Sequence, residues 1–238
     1  GKMMQCVIYR EKKGFGNMIA PKYHVYSSNH MRYLMSAKKQ IANKTSNYHL
    51  SMDRNDFKRK SDNYLGKLRS NFMGTQYTIY DRGENPENTN SPDQIRQEMA
   101  IIYYEQNLFG TRGPRKMKGY LPKLGPNGEQ MPWYAKKKGE KMASMVAKGD
   151  TDEMICVKNK EPQWNEELGA YVLNFRGRVR VASVKNFQLV DNNDDDYIYL
   201  LFGKLDEETF AMDFQWPLCP MQAFAICLTS TDFKFGCE

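Results

Sequence analysis

Short runs in which β-branched or aromatic residues alternate with polar ones recur along the chain: Met4–Arg10, Lys22–Ser27, Arg32–Lys39, Asn47–Asp53, Tyr64–Asn71, Thr75–Asp81, Glu98–Glu105, Glu153–Asn159, Ala170–Phe175, Val184–Val190, Tyr197–Leu205 and Thr209–Phe214. A period of two with such residues is the signature of β-strands, and the Gly, Pro, Asn and Asp clusters between many of the runs supply turn chemistry. About a dozen antiparallel strands are predicted. That number closes into a barrel or splits into packed sheets, since long open edges invite association.

Two segments break the alternation. Leu121–Asp150 is rich in Lys, Gly and Pro before a short Ala/Met-rich helical stretch, and reads as a long, mobile surface insertion. Pro217–Ser230 (PLCPMQAFAICLTS) starts with helix-initiating prolines and is then apolar on nearly every face. A helix of that kind has to be wrapped by protein, and it is too short to cross a bilayer. Threading it through the middle of a barrel satisfies both conditions, with one more buried strand as the alternative. The expected class is therefore all-β with a central helix, one domain over residues 1–238, a length that sheet-rich folds reach as a single unit.

The hairpin Asn63–Gly83 (NYLGKLRSNFMGTQYTIYDRG) carries the first sign of chemistry. Positions i and i+2 of a strand share a face about 7 Å apart, so Lys67 and Arg69 point one way while Leu68 and Phe72 point the other. Arginine offers a planar fork for phosphate oxygens and lysine a compact point charge, a pair suited to a polyphosphate head group. The charge balance agrees. The chain's net charge is +7, but residues 1–70 hold 15 Lys+Arg against 4 Asp+Glu, which leaves 20 against 24 beyond them. A one-sided positive field of this kind suits an anionic partner such as phosphate-bearing lipid or nucleic acid.

Other chemistry finds no support. There is no GxSxG, P-loop, GxGxxG or HExxH pattern, and His24, His30 and His49 lack metal-ligand spacing. No catalytic residue, cofactor or metal is expected. The acidic run Asp191–Asp196 lacks the glycine and terminal glutamate of an EF-hand loop and reads as a solvated turn. Five cysteines (Cys6, Cys156, Cys219, Cys227 and Cys237) are scattered and without CxxC spacing, which points to a reducing compartment. No signal segment and no apolar run of membrane-spanning length is present, so any membrane contact is expected at the surface. Nucleic acid could use the same basic face, although no RNP aromatic motif, zinc finger or helix-turn-helix accompanies it.

Long stretches, among them KTSNY (44–48), YLGKLRSNFMGTQYTIYDRG (64–83), IRQEMAIIYYEQNLFGTRGPRKM (95–117), YVLNFRGRVRVASVKNFQLV (171–190) and FGKLDEETFAMDFQWPLCPMQAFAICLTSTDFKFGCE (202–238), resemble the C-terminal domain of the Tubby and Tubby-like proteins. The resemblance covers nearly the whole chain apart from the 121–150 segment. It implies a twelve-stranded antiparallel barrel closed around a hydrophobic helix. It also implies binding of phosphatidylinositol 4,5-bisphosphate at the cytosolic face of the plasma or ciliary membrane. In the family's motifs the head group is held by positions matching Lys67, Arg69, Asn47 and Arg96. Many members carry a dense basic cluster ahead of TSNY, whereas here only Lys38, Lys39 and Lys44 stand there as an auxiliary basic surface. If each basic residue near an anionic membrane contributes about 1 kcal/mol, the thinner cluster lowers affinity more than specificity. Family members also act as adaptors that carry membrane receptors into cilia, and a nuclear, transcription-regulating role after release has been proposed for them; both depend in animal members on a region N-terminal to this domain. A DNA-binding or transcription-linked module on the same basic face is the alternative function.

Overall fold

The computed structural model describes residues 3–12, 20–89, 91–105, 116–167 and 169–232. Cys237 and the parts of the family-like stretches at 106–115 and 233–238 lie outside the described residues. Twelve strands form one closed antiparallel barrel in the order β1-β14-β13-β12-β9-β8-β7-β6-β5-β4-β3-β2. These are β1 (Met4–Glu11), β2 (Lys22–Ser27), β3 (Tyr33–Lys39), β4 (Asn47–Ser51), β5 (Tyr64–Ser70), β6 (Gln76–Asp81), β7 (Glu98–Tyr104), β8 (Met117–Pro122), β9 (Met154–Asn159), β12 (Phe187–Asp191), β13 (Ile198–Lys204) and β14 (Thr209–Phe214). The remaining pair, β10 (Gln163–Asn165) and β11 (Ala170–Val172), makes a separate two-stranded sheet. The closing contact is β1 against β14, in register from Met4 opposite Phe214 to Tyr9 opposite Thr209. Closure leaves the twelve barrel strands without an open edge.

The expected barrel is present, with one strand exchanged. The run at Ala170–Phe175 supplies β11, outside the barrel, and its place in the count is taken by β8, a stretch containing Gly119 and Pro122 that shows no β-alternation. Glycine is required there because a Cβ on Gly119 would come within 2.7 Å of Ile102 and 2.8 Å of Val157, the flanking strands' side chains. Proline is tolerated because it ends the strand.

Inside the barrel runs the helix α2 (Pro220–Thr231); among the described residues the other α-helix is α1 (Met142–Lys148). Every α2 residue from Met221 to Ser230 is buried, which is why the segment carries no polar stripe. It begins with Pro220 at its first turn and a capping box in which the Cys219 sulfur accepts from the Gln222 N–H while the Gln222 side chain accepts from the Cys219 N–H. Its core partners come from all round the wall, including Ile8, Val25, Leu50, Leu68, Ile79, Ile102, Val157, Leu200 and Phe210.

The far end of α2 is anchored by charge. Asp232, 2% exposed, pairs with Lys39 Nζ at 2.7 Å and accepts hydrogen bonds from Tyr48 Oη at 2.8 Å and Tyr77 Oη at 2.9 Å. Burial pushes against ionisation of this carboxyl, but Lys39 and the donors Ser46 and Tyr48 hold it below the usual carboxylate range.

The 121–150 segment opens inside β8 and then lies along the outer wall. Met142 of α1 is fully buried with Ile101, Tyr120 and Met154, and the buried Glu98 of β7 accepts from the Met142 N–H at 2.7 Å. Gln130 donates to the carbonyl of Pro217 and its amide also pairs with that of Gln222, closing the barrel end where α2 enters. These contacts fasten the stretch to the barrel. The Lys- and Gly-rich spacing that reads as a mobile surface loop covers a packed outer layer.

Candidate functional site

The site is assembled on the outer wall where β3, β4, β5 and β6 run side by side. Antiparallel register sets two rows across them. In one, Lys38 lies opposite His49, His49 opposite Lys67, and Lys67 opposite Tyr80. In the other, Asn47 lies opposite Arg69 and Arg69 opposite Thr78. The intervening residues Tyr48, Leu68, Tyr77 and Ile79 point inward and are buried, so the alternation that fills the core also fixes the polar rows outside it. Arg96 joins from the segment before β7. Its backbone N–H donates to the Glu84 carbonyl at 2.9 Å, and its guanidinium stacks 4.2 Å from the centroid of the Tyr80 ring.

The four residues singled out by the family-like motifs are therefore neighbours in space. Two details sharpen the site. Lys67 is only 8% exposed and its ammonium forms no hydrogen bond or ion pair with any described residue; it lies 5.9 Å from the centroid of the Tyr80 ring, and Glu84 acts on it only at longer range. Burial, then the cations Arg96, Arg59 and Arg69, lower its pKa to about 8. Asn47 is 6% exposed, and its Oδ1 is buried without a donor among the described residues. A desolvated cation with no ion-pair partner and, on the neighbouring row, a desolvated acceptor with no donor among the described residues each carry a desolvation cost. An anion that also carries hydroxyl groups would offset both.

Arg69 is half-buried and the only side-chain hydrogen bond it makes among the described residues is a long one, 3.3 Å from Nη2 to Thr45 Oγ1. Glu84, the acid that acts on Lys67, is taken by Arg59 at 2.9 Å in an exposed pair. Beside the rows opens a cleft of about 320 Å³ lined by Lys38, Gln40, His49, Asn55, Phe57, Lys58 and Arg59. Burial lowers the His49 pKa, and Lys67, Arg59 and Arg69 lower it further, while the Phe57 carbonyl opposes them. The neutral imidazole is thereby favoured. A second cleft, of about 240 Å³ beside β12, has only Lys160 and Arg176 as cations, and Lys160 already faces Asp196 at 3.6 Å. The concentration of uncompensated positive charge is on the β4–β6 wall.

Of the auxiliary lysines, Lys38 belongs to this wall and Lys44 is exposed in the β3–β4 loop. Lys39 does not join them. Strand alternation turns it toward the barrel end, where Asp232 binds it. Phe72 also departs from expectation: it does not continue the inward face of Leu68 but sits in the β5–β6 turn, 70% exposed. Tyr80, His49 and Arg59 join the site although no motif singles them out. Tyr80 was within reach, because a hairpin turning at Met73 and Gly74 sets it opposite Lys67; Arg59 comes from a loop whose path no strand pattern discloses.

The Tub family profile matches residues 1–233. The chain belongs to the Tub family. Relatives include Tubby-related protein 3 of Mus musculus, 41% identical over 244 residues covering 100% of this chain and 53% of that protein. Tubby-related protein 2 of Mus musculus is 43% identical over 240 residues, 98% of this chain and 43% of its own length. Protein king tubby of Drosophila sechellia is 40% identical over 242 residues, 100% of this chain and 54% of its own. The chain thus spans about half the length of these relatives. Within the Tub domain no helix of the described residues is long and apolar enough to cross a membrane.

Proposed function

We propose that this Tub domain is a non-catalytic phosphoinositide receptor. It binds phosphatidylinositol 4,5-bisphosphate at the cytosolic leaflet and recruits the protein that carries it to the plasma or ciliary membrane as a trafficking adaptor. Lys67, Arg69 and Arg96 hold the phosphates, and the Asn47 amide engages a ring hydroxyl or phosphate oxygen. Lys38, Lys44 and the cations lining the adjacent cleft supply the longer-range attraction. The supporting observation is the buried Lys67, whose ammonium makes no ion pair among the described residues, on the row next to the Asn47 oxygen, which has no donor among them. A fold retains such a pair at a cost, and sites built for ligands are where such costs collect.

Calorimetric titration with soluble inositol 1,4,5-trisphosphate tests this reading without a membrane. Saturable binding by the wild type that falls at least about a hundredfold in Lys67→Ala/Arg69→Ala, with an unchanged circular-dichroism spectrum, is the expected result. Equal binding by the folded double variant would remove these residues from the site.

A further inference from the structure

Two hairpin tips stand next to the cationic rows at the same end of the barrel. The β3–β4 loop, residues 40–46, carries Ile41 at 64% exposure, and the β5–β6 turn carries Phe72 at 70% and Met73 at 40%. Because β4 and β5 are directly paired, the tips are neighbours along the rim. Ser46 N–H donates to Ser70 Oγ at 2.9 Å, and Ser70 N–H donates to the Ser46 carbonyl at 2.9 Å. Arg69 also reaches across to Thr45 of the first tip.

The second tip is built to project. Asn71 Oδ1 accepts the N–H groups of Thr75 and Gln76, Gly74 N–H donates to the Asn71 carbonyl, and Gly74 takes φ +68°. An asparagine starting a turn and a left-handed glycine ending it leave Phe72 and Met73 at the two outermost positions. Neither tip, QIANKTS or NFMGT, contains an acidic residue, and the first adds the exposed Lys44. Most other exposed large apolar side chains, such as Met31, Met52 and Trp216, stand at the opposite end or away from the cations.

We infer that Ile41, Phe72 and Met73 form an apolar wedge that enters the interfacial region of an anionic bilayer while Lys67, Arg69 and Asn47 grip a lipid head group beside it. The occupant is lipid because the accessible charge that the described residues set beside the wedge is positive, while Asp232, which Ser46 reaches, is buried and paired with Lys39; that suits an anionic surface and gives a protein groove no exposed counter-charge to read. Burying aromatic and aliphatic side chains at the acyl boundary adds affinity that salt does not screen, whereas the head-group contacts are partly screened. The wedge also fixes orientation, since a rigid body held at the head group and at two neighbouring tips has one face toward the membrane.

This inference rests on the phosphoinositide reading, and its test separates the two. The variant Ile41→Ser/Phe72→Ser/Met73→Ser changes only exposed positions, so its thermal midpoint is expected to match the wild type. Both proteins are titrated with inositol 1,4,5-trisphosphate and with vesicles of phosphatidylcholine and phosphatidylserine carrying phosphatidylinositol 4,5-bisphosphate. The wedge predicts equal binding of the soluble head group and a loss of roughly tenfold to a hundredfold on vesicles, persisting at high salt. Equal vesicle binding by variant and wild type overturns the wedge and leaves the head-group site standing. Failure of the wild type to bind either probe overturns both. Soluble binding by the wild type without vesicle binding overturns the wedge alone.

Discussion

At the scale of single residues, Lys67 carries the account. Two residues of sequence spacing are enough to put it on one face with Arg69, but not to show that it is buried and unpaired; that follows from its neighbours His49 and Tyr80 across the strands. The depressed pKa has a sign that can be tested. The folded value of about 8 lies below the ordinary 10.5, so the fold disfavours the protonated side chain. The penalty is complete below about pH 8 and disappears as the pH rises through 10.5. Lys67→Met is therefore expected to raise the thermal midpoint at pH 7, by an amount equivalent to roughly 1 kcal/mol, and the difference should close toward pH 10.5. The same change should abolish head-group binding. A lowered midpoint at pH 7 would mean that Lys67 is a structural cation. A polyphosphate ligand favours the charged form, so affinity in the wild type should fall as the pH rises from about 8, with proton uptake on binding. Calorimetry in two buffers of different ionisation enthalpy measures that uptake.

At the scale of elements, the hairpin β5–β6 and the helix α2 show what the sequence pattern could and could not disclose. The alternation of Leu68, Tyr77 and Ile79 with polar residues and the glycine at 74 specify the hairpin and its register locally. Gly66 completes it: with φ +154°, a Cβ there would meet the Tyr80 carbonyl at 2.1 Å and Met221 Cε at 2.5 Å, so glycine alone lets β5 pass between β6 and the helix. The all-round apolar character of α2 likewise announces a helix enclosed by protein. Strand β8 is not legible in the pattern because a glycine set by packing and a terminal proline erase its alternation. The anchoring of α2 is not legible because Lys39 and Asp232 are 193 residues apart. A carboxylate at a helix C-terminus is opposed by the helix dipole, and Lys39 offsets this. Asp232→Asn leaves Lys39 without its counter-charge and is expected to cost about 3 kcal/mol in urea unfolding. Because the folded pKa of Asp232 is depressed, its contribution is present above the ordinary carboxylate range and is lost as the pH falls through the folded value. The variant's stability should thus converge on the wild type's in acid. An unchanged urea midpoint near neutrality would show that α2 is held by its apolar contacts alone.

At the scale of the whole molecule, the topology converts a bias along the sequence into a bias in space. Strands β1 to β9 that belong to the barrel follow one another around the wall, so the basic first 70 residues become one contiguous sector, β1 to β5. The acidic turn after β12, with Asp195 and Asp196 facing Lys158 and Lys160, stands elsewhere on the wall. Composition alone reveals the imbalance between the two parts of the chain; closure of the barrel makes it a face. On that face general electrostatic attraction and specific recognition predict different outcomes, and one measurement separates them. Wild type and Lys67→Ala/Arg69→Ala are compared on liposomes carrying each phosphoinositide isomer at matched total charge. The account predicts a preference for the 4,5-bisphosphate that the double variant loses while remaining folded. Binding that follows total charge alone, equally in both proteins, would contradict it, and would move nucleic acid or a protein partner ahead as the ligand of this wall.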